Sequence, residues 1–379
     1  MAPSEDSESK SPRGRKVRVP FRRNRSKPAR VKDWTRQAHE AEGQEIDSSG
    51  QERVAAKGQI SRYRTITVDT ERGDGLQPGV VVALRGQFCE VDDGSGIRLC
   101  TVRRVLRTRS RQDRNPLAVG DIVRFRPAPQ SGTGRPEGVI ESVDQRRGQL
   151  RRKVRRHIHT MVANVDQVII VSSTADPPPK PHLIDRYIVA TLAGSMRPIV
   201  CMNKMDLVPQ AEQILERYRP LGYETLTTCA ITGDGGRAGI DRLREVLANR
   251  SSVMAGQSGV GKSALLNAVQ PGLGLRVRKV AADSRKGRHA TSTATLIRLD
   301  IGGYIVDTPG IRSLDLSTVS RCELEEYFTE FIDHVAGCKF PDCSHTHEHQ
   351  CAVKTAVEEG LIHVDRYGSY KRLFAELPG

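Results

Sequence analysis

Between about residues 65 and 143, apolar positions come in short alternating runs at 79–84, 86–91, 97–102, 121–125 and 138–143, each broken by turn residues. A period of two puts one face of each run in a core and the other in water, the signature of half-buried strands. Asp93-Gly94 and Gly94-Ser95-Gly96 supply a turn between the second run and the third. Five such strands in roughly 80 residues predict a small all-β barrel of the OB type.

From about residue 150 the pattern changes. Residues 166–171 and 198–202 are continuous apolar runs, as expected of strands buried on both faces, and a helical stripe covers 182–193 between them. Further helices are expected near 210–219 and 264–269, and strands near 224–228, 252–255 and 304–306. This alternation predicts a doubly wound α/β sheet, whose ligands sit at the carboxyl ends of its strands. Helices near 352–359 and 364–376 close the chain. The pattern divides the chain into an arm (1–64), the barrel (65–148), the α/β domain (149–320) and a mostly helical C-terminal domain (321–379).

Composition adds a partner class. The 379 residues hold 60 Lys+Arg against 45 Asp+Glu, a net charge of +15, with pI near 9.7, which suits a polyanion such as nucleic acid. Residues 1–36 carry 12 basic and 4 acidic residues, a net of +8. With almost no aliphatic periodicity, this stretch cannot offset its ordering entropy by burial, and residues 1 to about 64 are expected to form a disordered basic arm. Phosphate binding and a solubilising tail are equally open roles for it. Arg103, Arg104, Arg107, Arg109 and Arg111 lie between the third and fourth barrel runs. Arg146, Arg147, Arg151, Arg152, Lys153, Arg155 and Arg156 follow the last. A barrel flanked by arginines favours RNA, although aromatic residues suited to stacking are scarce (Phe88, Phe125). No apolar run reaches bilayer length, and Glu5, Asp6 and Glu8 disfavour a secretory or transit segment. A cytoplasmic monomer is expected, with no membrane partner.

Gly256-Gln257-Ser258-Gly259-Val260-Gly261-Lys262-Ser263 fits G-x-x-x-x-G-K-S/T between a strand-like and a helical run. The glycines let backbone N–H groups wrap phosphates, Lys262 reaches the β- and γ-oxygens, and Ser263 ligates Mg²⁺, with Ala264 next in the helix. Asn203-Lys204-Met205-Asp206 ends a buried strand, where the Asp206 carboxylate can accept from guanine N1–H and the exocyclic amine. Adenine offers no such pair of donors, so this motif together with the phosphate loop specifies GTP or GDP. Asn203 and the Lys204 stem would hold the loop and cover the base. Cys229-Ala230 is where a second base-contacting segment is expected.

Asp307-Thr308-Pro309-Gly310 closes a further strand. There Asp307 can orient Mg²⁺ through water, and the Gly310 N–H can meet the γ-phosphate. Within the polar segment 286–293, Thr291 is the candidate to complete the Mg²⁺ shell, with Thr293 as runner-up. Gly310 is followed by Ile311, where Ras-type enzymes place a water-orienting Gln, so another group must do that work. His289 is the candidate, with Arg288 near the phosphates. The catalytic set is thus His289, Lys262 and Thr291. A Ras-type chain runs phosphate loop, switch threonine, D-x-x-G, then N-K-x-D; here N-K-M-D comes first, so the sheet must be circularly permuted.

Cys338-x4-Cys343-x-His345-x5-Cys351 supplies three thiolates and one imidazole, a set typical of structural Zn²⁺. His347 and His349 compete for the histidine position. The other cysteines are scattered.

These residues resemble the ribosome small subunit-dependent GTPase A group (RsgA, also YjeQ or YloQ) of circularly permuted GTPases. The resemblance spans about 65–379, through 119–123 (V-G-D-I-V), 163–167 (A-N-V-D-Q), N-K-M-D, G-Q-S-G-V-G-K-S, G-R-H, D-T-P-G-I-R and C-K-F-P-D-C-S-H with C-A-V. It implies an OB-fold, a permuted P-loop GTPase and a zinc domain. It also implies late maturation of the small ribosomal subunit, with rRNA as partner and subunit-stimulated hydrolysis of GTP to GDP and phosphate. Three positions depart from the family pattern. Ala290 follows G-R-H where threonine is usual, Ala264 follows Ser263 where a hydroxyl is common, and Glu348-His349-Gln350 stands for E-P-G. Two rival functions are a nucleotide-gated RNA-binding protein with incidental hydrolysis and a P-loop kinase or ATPase with a fortuitous N-K-M-D.

Overall fold

A computed structural model of the chain describes residues 15–20, 63–68, 75–103, 106, 117–128, 137–154, 157–230, 234–274, 294–307 and 316–378. It divides into two compact units, Met1–Leu76 with Arg103–Arg111, and Gln77–Val102 with Gln112–Gly379.

In the first unit, β1 (Arg15–Pro20) pairs antiparallel with β2 (Tyr63–Val68). The expectation of an arm without structure is corrected for 15–20 and 63–64, and 65–68, expected to open the barrel, pair with β1 instead. Both segments mix β-branched residues with polar ones, a composition that fits a pleated ribbon. The rest of the expected arm lies outside the described residues.

The second unit begins with β3 (Gln77–Arg85), β4 (Phe88–Asp92), β5 (Ile97–Val102), β6 (Ile122–Pro127) and β7 (Gly138–Val143). Their order is β3-β4-β5-β7-β6, and β6 returns to pair with β3, so the sheet closes on itself. Val81, Cys89, Val91, Cys100, Val123, Phe125 and Ile140 fill its interior. The alternation that marked the five runs thus becomes the inside of a barrel.

Next, β8 (Gln149–Val154) and β9 (His157–Ala163) form a separate two-stranded ribbon. The ribbon was not expected, because its arginine-rich run carries little apolar alternation.

The α/β part contains β10 (Gln167–Ser173), α1 (Pro181–Ala193), β11 (Arg197–Asn203), β12 (Glu224–Thr227) and α2 (Asp234–Leu247). It continues with β13 (Arg250–Ala255), α3 (Lys262–Val269), β14 (Thr295–Arg298) and β15 (Gly303–Asp307). Spatially the strands run β12-β11-β10-β13-β15-β14, the first five parallel and β14 antiparallel to β15. All seven residues of β10 are buried. Val168 and Ile170 join the core under α1, while Ile169 and Val171 join the core under α2 and α3, which explains the unbroken apolar run. The helix expected at 210–219 is a 3₁₀ helix, Pro209–Arg217, with Leu215 as its one buried residue. A single buried side chain is too narrow a stripe to hold a longer α-helix on the sheet.

Two 3₁₀ turns (Leu324–Tyr327, Thr329–Phe331), α4 (Ile332–Val335), α5 (Ala352–Glu358) and α6 (Val364–Glu376) complete the chain. The α6 helix packs on α1 through a shared core that includes Ile184, Tyr187, Phe328, Phe331 and Tyr370. Inside this junction the buried Arg366 guanidinium donates to Asp185 (2.7 Å) and to both oxygens of Glu330 (2.6 and 3.0 Å). It also lies 4.6 Å over the Phe328 ring.

Candidate functional site

The phosphate loop leaves β13 at the centre of the sheet. Connections from β10 run outward to β11 and β12 on one side, and β13 sits on the other, so the loop opens at the topological switch point. Its turn needs glycine: Gly256, Gly259 and Gly261 have φ of 143°, 89° and 98°. A Cβ on Gly256 would lie 2.1 Å from the Val171 carbonyl oxygen, and one on Gly261 would lie 2.3 Å from Asn203 Nδ2. Lys262 opens α3 and folds back, its ammonium donating to the carbonyls of Gly256 (2.8 Å) and Gln257 (2.9 Å). Ser263, in the first helical turn, is half-buried and accompanied by half-buried Ala264. Backbone N–H groups and a helix N-terminus in this arrangement can hold an anion.

Asn203 ends β11 almost fully buried and ties three segments together. Its Nδ2 donates to the Val260 carbonyl of the phosphate loop (2.9 Å), and its Oδ1 accepts from Thr228 Oγ1 (3.1 Å) just beyond β12. Lys204, at φ 61°, sends its ammonium to the carbonyls of Ala175 and Asp176 after β10, while Thr174 Oγ1 donates to the Lys204 carbonyl. The exposed Asp206 carboxylate accepts from the Cys229 thiol (3.0 Å), and Ala230 packs on the apolar core beside it. Asn203, Lys204, Asp206, Cys229 and Ala230 therefore gather at one end of the sheet beside Gly256–Ser263. Sequence reasoning missed Thr228 and Thr174, hydroxyls placed just beyond strand ends that close this network.

Asp307 is the last residue of β15, and its neighbour Val306 pairs with Val253 of β13, so its backbone lies next to the phosphate-loop strand. Arg288, His289, Thr291, Thr293 and Gly310 lie outside the described residues.

A second cluster lies in the C-terminal part. Ligand atoms of Cys338, Cys343, His345 and Cys351 all fall within 4.8 Å of one another. A tetrahedral Zn²⁺ with bonds of ~2.3 Å to sulfur and ~2.0 Å to nitrogen requires ~3.8 Å between sulfurs and ~3.5 Å from sulfur to nitrogen. The observed separations are 3.9 Å for Cys338–Cys351, and 3.5 and 3.4 Å from His345 Nδ1 to Cys338 and Cys351. His347 and His349 are exposed and stand apart from the cluster. The outer nitrogen of His345, Nε2, lies 2.7 Å from Glu325 Oε2, a carboxylate placed to fix the ring and its tautomer. Burial works against ionising Glu348, but hydrogen bonds from Ser344, Thr346 and the backbone hold its carboxyl down at about 2. Gln350, where the resemblance would place glycine, has φ 57°, in the left-handed region that glycine adopts most readily.

A family model described as RsgA GTPase matches residues 143–317. The small ribosomal subunit biogenesis GTPase RsgA of Chlorobaculum tepidum is 40% identical over 309 residues, covering 79% of this chain and 97% of the relative. The chain belongs to the RsgA family. A second RsgA, from Thermotoga petrophila, is 41% identical with the same coverage. Among solved structures, YjeQ from Thermotoga maritima aligns at TM-score 0.64 and 36% identity, covering 80% of this chain and 98% of that one. YloQ, described as a circularly permuted GTPase, aligns at TM-score 0.62 and 28% identity, covering 82% and 98%. The permutation inferred from motif order is thus present in the fold of this RsgA-family chain.

The basic residues divide into two kinds. Arg146 makes a two-pronged pair with the fully buried Asp121 (2.7 and 2.9 Å), and Asp121 in turn caps the Ala118 N–H (2.7 Å). That arginine ties the stretch after β7 to the start of β6. Arg147, Arg151 and Arg152 are exposed beside the β8–β9 ribbon. Phe125 is wholly buried in the barrel, which removes it from the stacking candidates. Arg104, Arg107, Arg109, Arg111, Arg155 and Arg156, and the side chain of Lys153, lie outside what is described.

Proposed function

We propose that this chain hydrolyses GTP to GDP and phosphate as a late maturation factor of the small ribosomal subunit, with turnover stimulated by that particle. The observation that carries the reading is the Asn203 junction. It joins the phosphate loop to the Asp206–Cys229 base site at the switch point of a permuted sheet. A fortuitous N-K-M-D would have no reason to be hydrogen-bonded to the phosphate loop.

In this reading Asp206 selects guanine, and Gly256–Ser263 hold the phosphates with Lys262 neutralising the charge that develops on them. Ser263 and Thr291 would hold Mg²⁺, which supplies charge neutralisation at the β- and γ-oxygens. Asp307 and Gly310 would face the γ-phosphate, and His289 would orient the attacking water. Cys338, Cys343, His345 and Cys351 would hold one structural Zn²⁺, whose role is to fold the C-terminal module. The closed order β3-β4-β5-β7-β6 supports reading 65–148 as an OB-type barrel, beside a GTPase domain at 149–320, a zinc domain at 321–379 and a basic arm at 1–64. Barrel and zinc domain would contact rRNA, with the protein working as a cytoplasmic monomer. No described helix is long and apolar enough to cross a membrane.

The deciding experiment is GTP turnover with and without purified small subunits, with large subunits as control and ATP as competitor of labelled GDP. Turnover raised by small subunits alone is expected. Equal stimulation by large subunits removes the assigned partner, displacement of GDP by ATP makes the chain an adenine enzyme, and binding without stimulation favours a nucleotide-gated RNA-binding role.

A further inference from the structure

The barrel and the α/β sheet are one continuous sheet, joined by the β14–β3 pairing of Thr295 with Ala83. A second contact lies at the opposite end of β14 and β15. Arg298 and Tyr304 are register partners on these two strands, and both reach the same barrel carboxylate, Asp92 at the end of β4. Tyr304 Oη donates to Asp92 Oδ2 (2.8 Å), and Arg298 Nη1 lies 3.5 Å from Asp92 Oδ1 while donating to the Gly94 carbonyl (3.1 Å). Asp92 is 5% exposed. Its Oδ1 also accepts from the Gly94 N–H (2.8 Å), so this carboxylate organises the β4–β5 turn as well.

What β14 and β15 carry makes the contact more than adhesive. The β14 strand begins two residues after the 286–293 segment, and β15 ends at Asp307, three residues or roughly 10 Å beyond Tyr304 at about 3.3 Å per residue. Among the described strands, β14 is the one strand of the α/β sheet that pairs with the barrel, and its partner β15 carries the Tyr304 contact and ends at Asp307, which the functional reading places at the γ-phosphate. A buried carboxylate oxygen whose donor is withdrawn bears the desolvation cost, so displacement of the turn is opposed at Tyr304 and Arg298 first.

We propose that Asp92 is a positioning residue that, acting through Tyr304 and Arg298, couples occupancy of the barrel to the placement of β14 and β15, and so of Asp307. Its catalytic consequence rests on the proposed subunit-stimulated hydrolysis. The coupling is reciprocal, so nucleotide state must also be felt at the β4–β5 turn.

The test uses the full chain with Tyr304→Phe and Asp92→Asn. Turnover is measured with and without small subunits, subunit binding by co-sedimentation, and hydrogen exchange at residues 92–97 with GDP against a non-hydrolysable GTP analogue. Basal turnover and subunit binding are expected to persist, stimulated turnover to fall about tenfold, within the usual range of coupling between sites, and the nucleotide-dependent exchange difference to vanish. Arg298→Gln, which keeps the Tyr304 bond, is expected to give a smaller loss in the same direction. Undiminished stimulation in Tyr304→Phe and Asp92→Asn overturns the proposal, as does basal turnover lost in step with a lowered melting temperature, which makes the contact structural only. If small subunits fail to stimulate the wild type, the functional reading falls. The exchange comparison then decides the coupling alone: an unaltered difference in Tyr304→Phe, or none in the wild type, overturns it.

Discussion

Asn203 spends both ends of its amide on the protein, so it and Asp206 are expected to fail in different ways. Asn203→Ala strands the Val260 carbonyl in a buried setting and leaves the Thr228 hydroxyl to the Cys201 thiol (3.3 Å). The unpaired carbonyl is expected to lower stability by about 1–3 kcal/mol and to weaken GDP binding, because the phosphate loop is no longer tied to the base site. Guanine preference should survive, because the reading group is untouched. Asp206→Asn exchanges an acceptor pair for one acceptor and one donor, which suits xanthine, where a carbonyl replaces the exocyclic amine. Competition of GDP and XDP against a labelled nucleotide checks both: selectivity lost in Asn203→Ala, or retained in Asp206→Asn, contradicts these roles. These two residues were legible because the chemistry of N-K-x-D is local and its spacing short. Thr228, which completes the junction, carried no signal, since a hydroxyl after a strand is common and only its distance from Asn203 gives it meaning.

At the scale of elements, α6 is held to α1 by a buried cation shared between two carboxylates. Removing one partner of such a set leaves uncompensated buried charge, so Arg366→Ala is expected to destabilise by about 3–5 kcal/mol. Calorimetric unfolding is the measurement, and a change indistinguishable from that of an exposed arginine such as Arg151→Ala contradicts it. The metal cluster leans on the same helix. Tyr367 Oη donates to the His345 carbonyl (2.8 Å) and Tyr370 Oη to the Ser344 carbonyl (3.0 Å). Chelation should therefore loosen α6 along with the 338–351 loop, read as new proteolytic cleavage after 338 while the phosphate-loop domain stays intact; an unchanged digest rejects a structural metal. Helices α5 and α6 were legible at nearly their observed ends, as were the five barrel strands, because each has an apolar face of the right period, whereas the single turn of α4 was not expected. The β8–β9 ribbon was not legible: its arginines hide the alternation. Arg366 was equally hidden, its carboxylate Asp185 lying 181 residues away.

Over the whole molecule, the order of motifs foretold the permuted sheet, whereas the continuity of barrel and sheet through β3 and β14 did not show in the sequence, being a pairing of segments more than 200 residues apart. Charge behaves likewise: the +15 is visible from composition, but which cations are available to a polyanion depends on what they touch. Arg146 is committed to Asp121, whose side chain is 0% exposed, while Arg151 and Arg152 are exposed on the ribbon. Neutralising a phosphate releases counterions, so each cation that binds RNA adds nearly one to the slope of log affinity against log salt. Arg151→Ala and Arg152→Ala are therefore expected each to reduce that slope by about 1 for small-subunit RNA, weakening binding without altering the melting temperature. Arg146→Ala should do the reverse, leaving the slope unchanged and lowering the melting temperature, because it abandons a buried carboxylate that also caps the Ala118 N–H. Binding isotherms over a series of potassium chloride concentrations, paired with thermal melts of the same three proteins, separate the two kinds of arginine. Equal slopes for Arg146→Ala and Arg151→Ala would mean that the ribbon is a solvated face and that the barrel meets RNA by another surface.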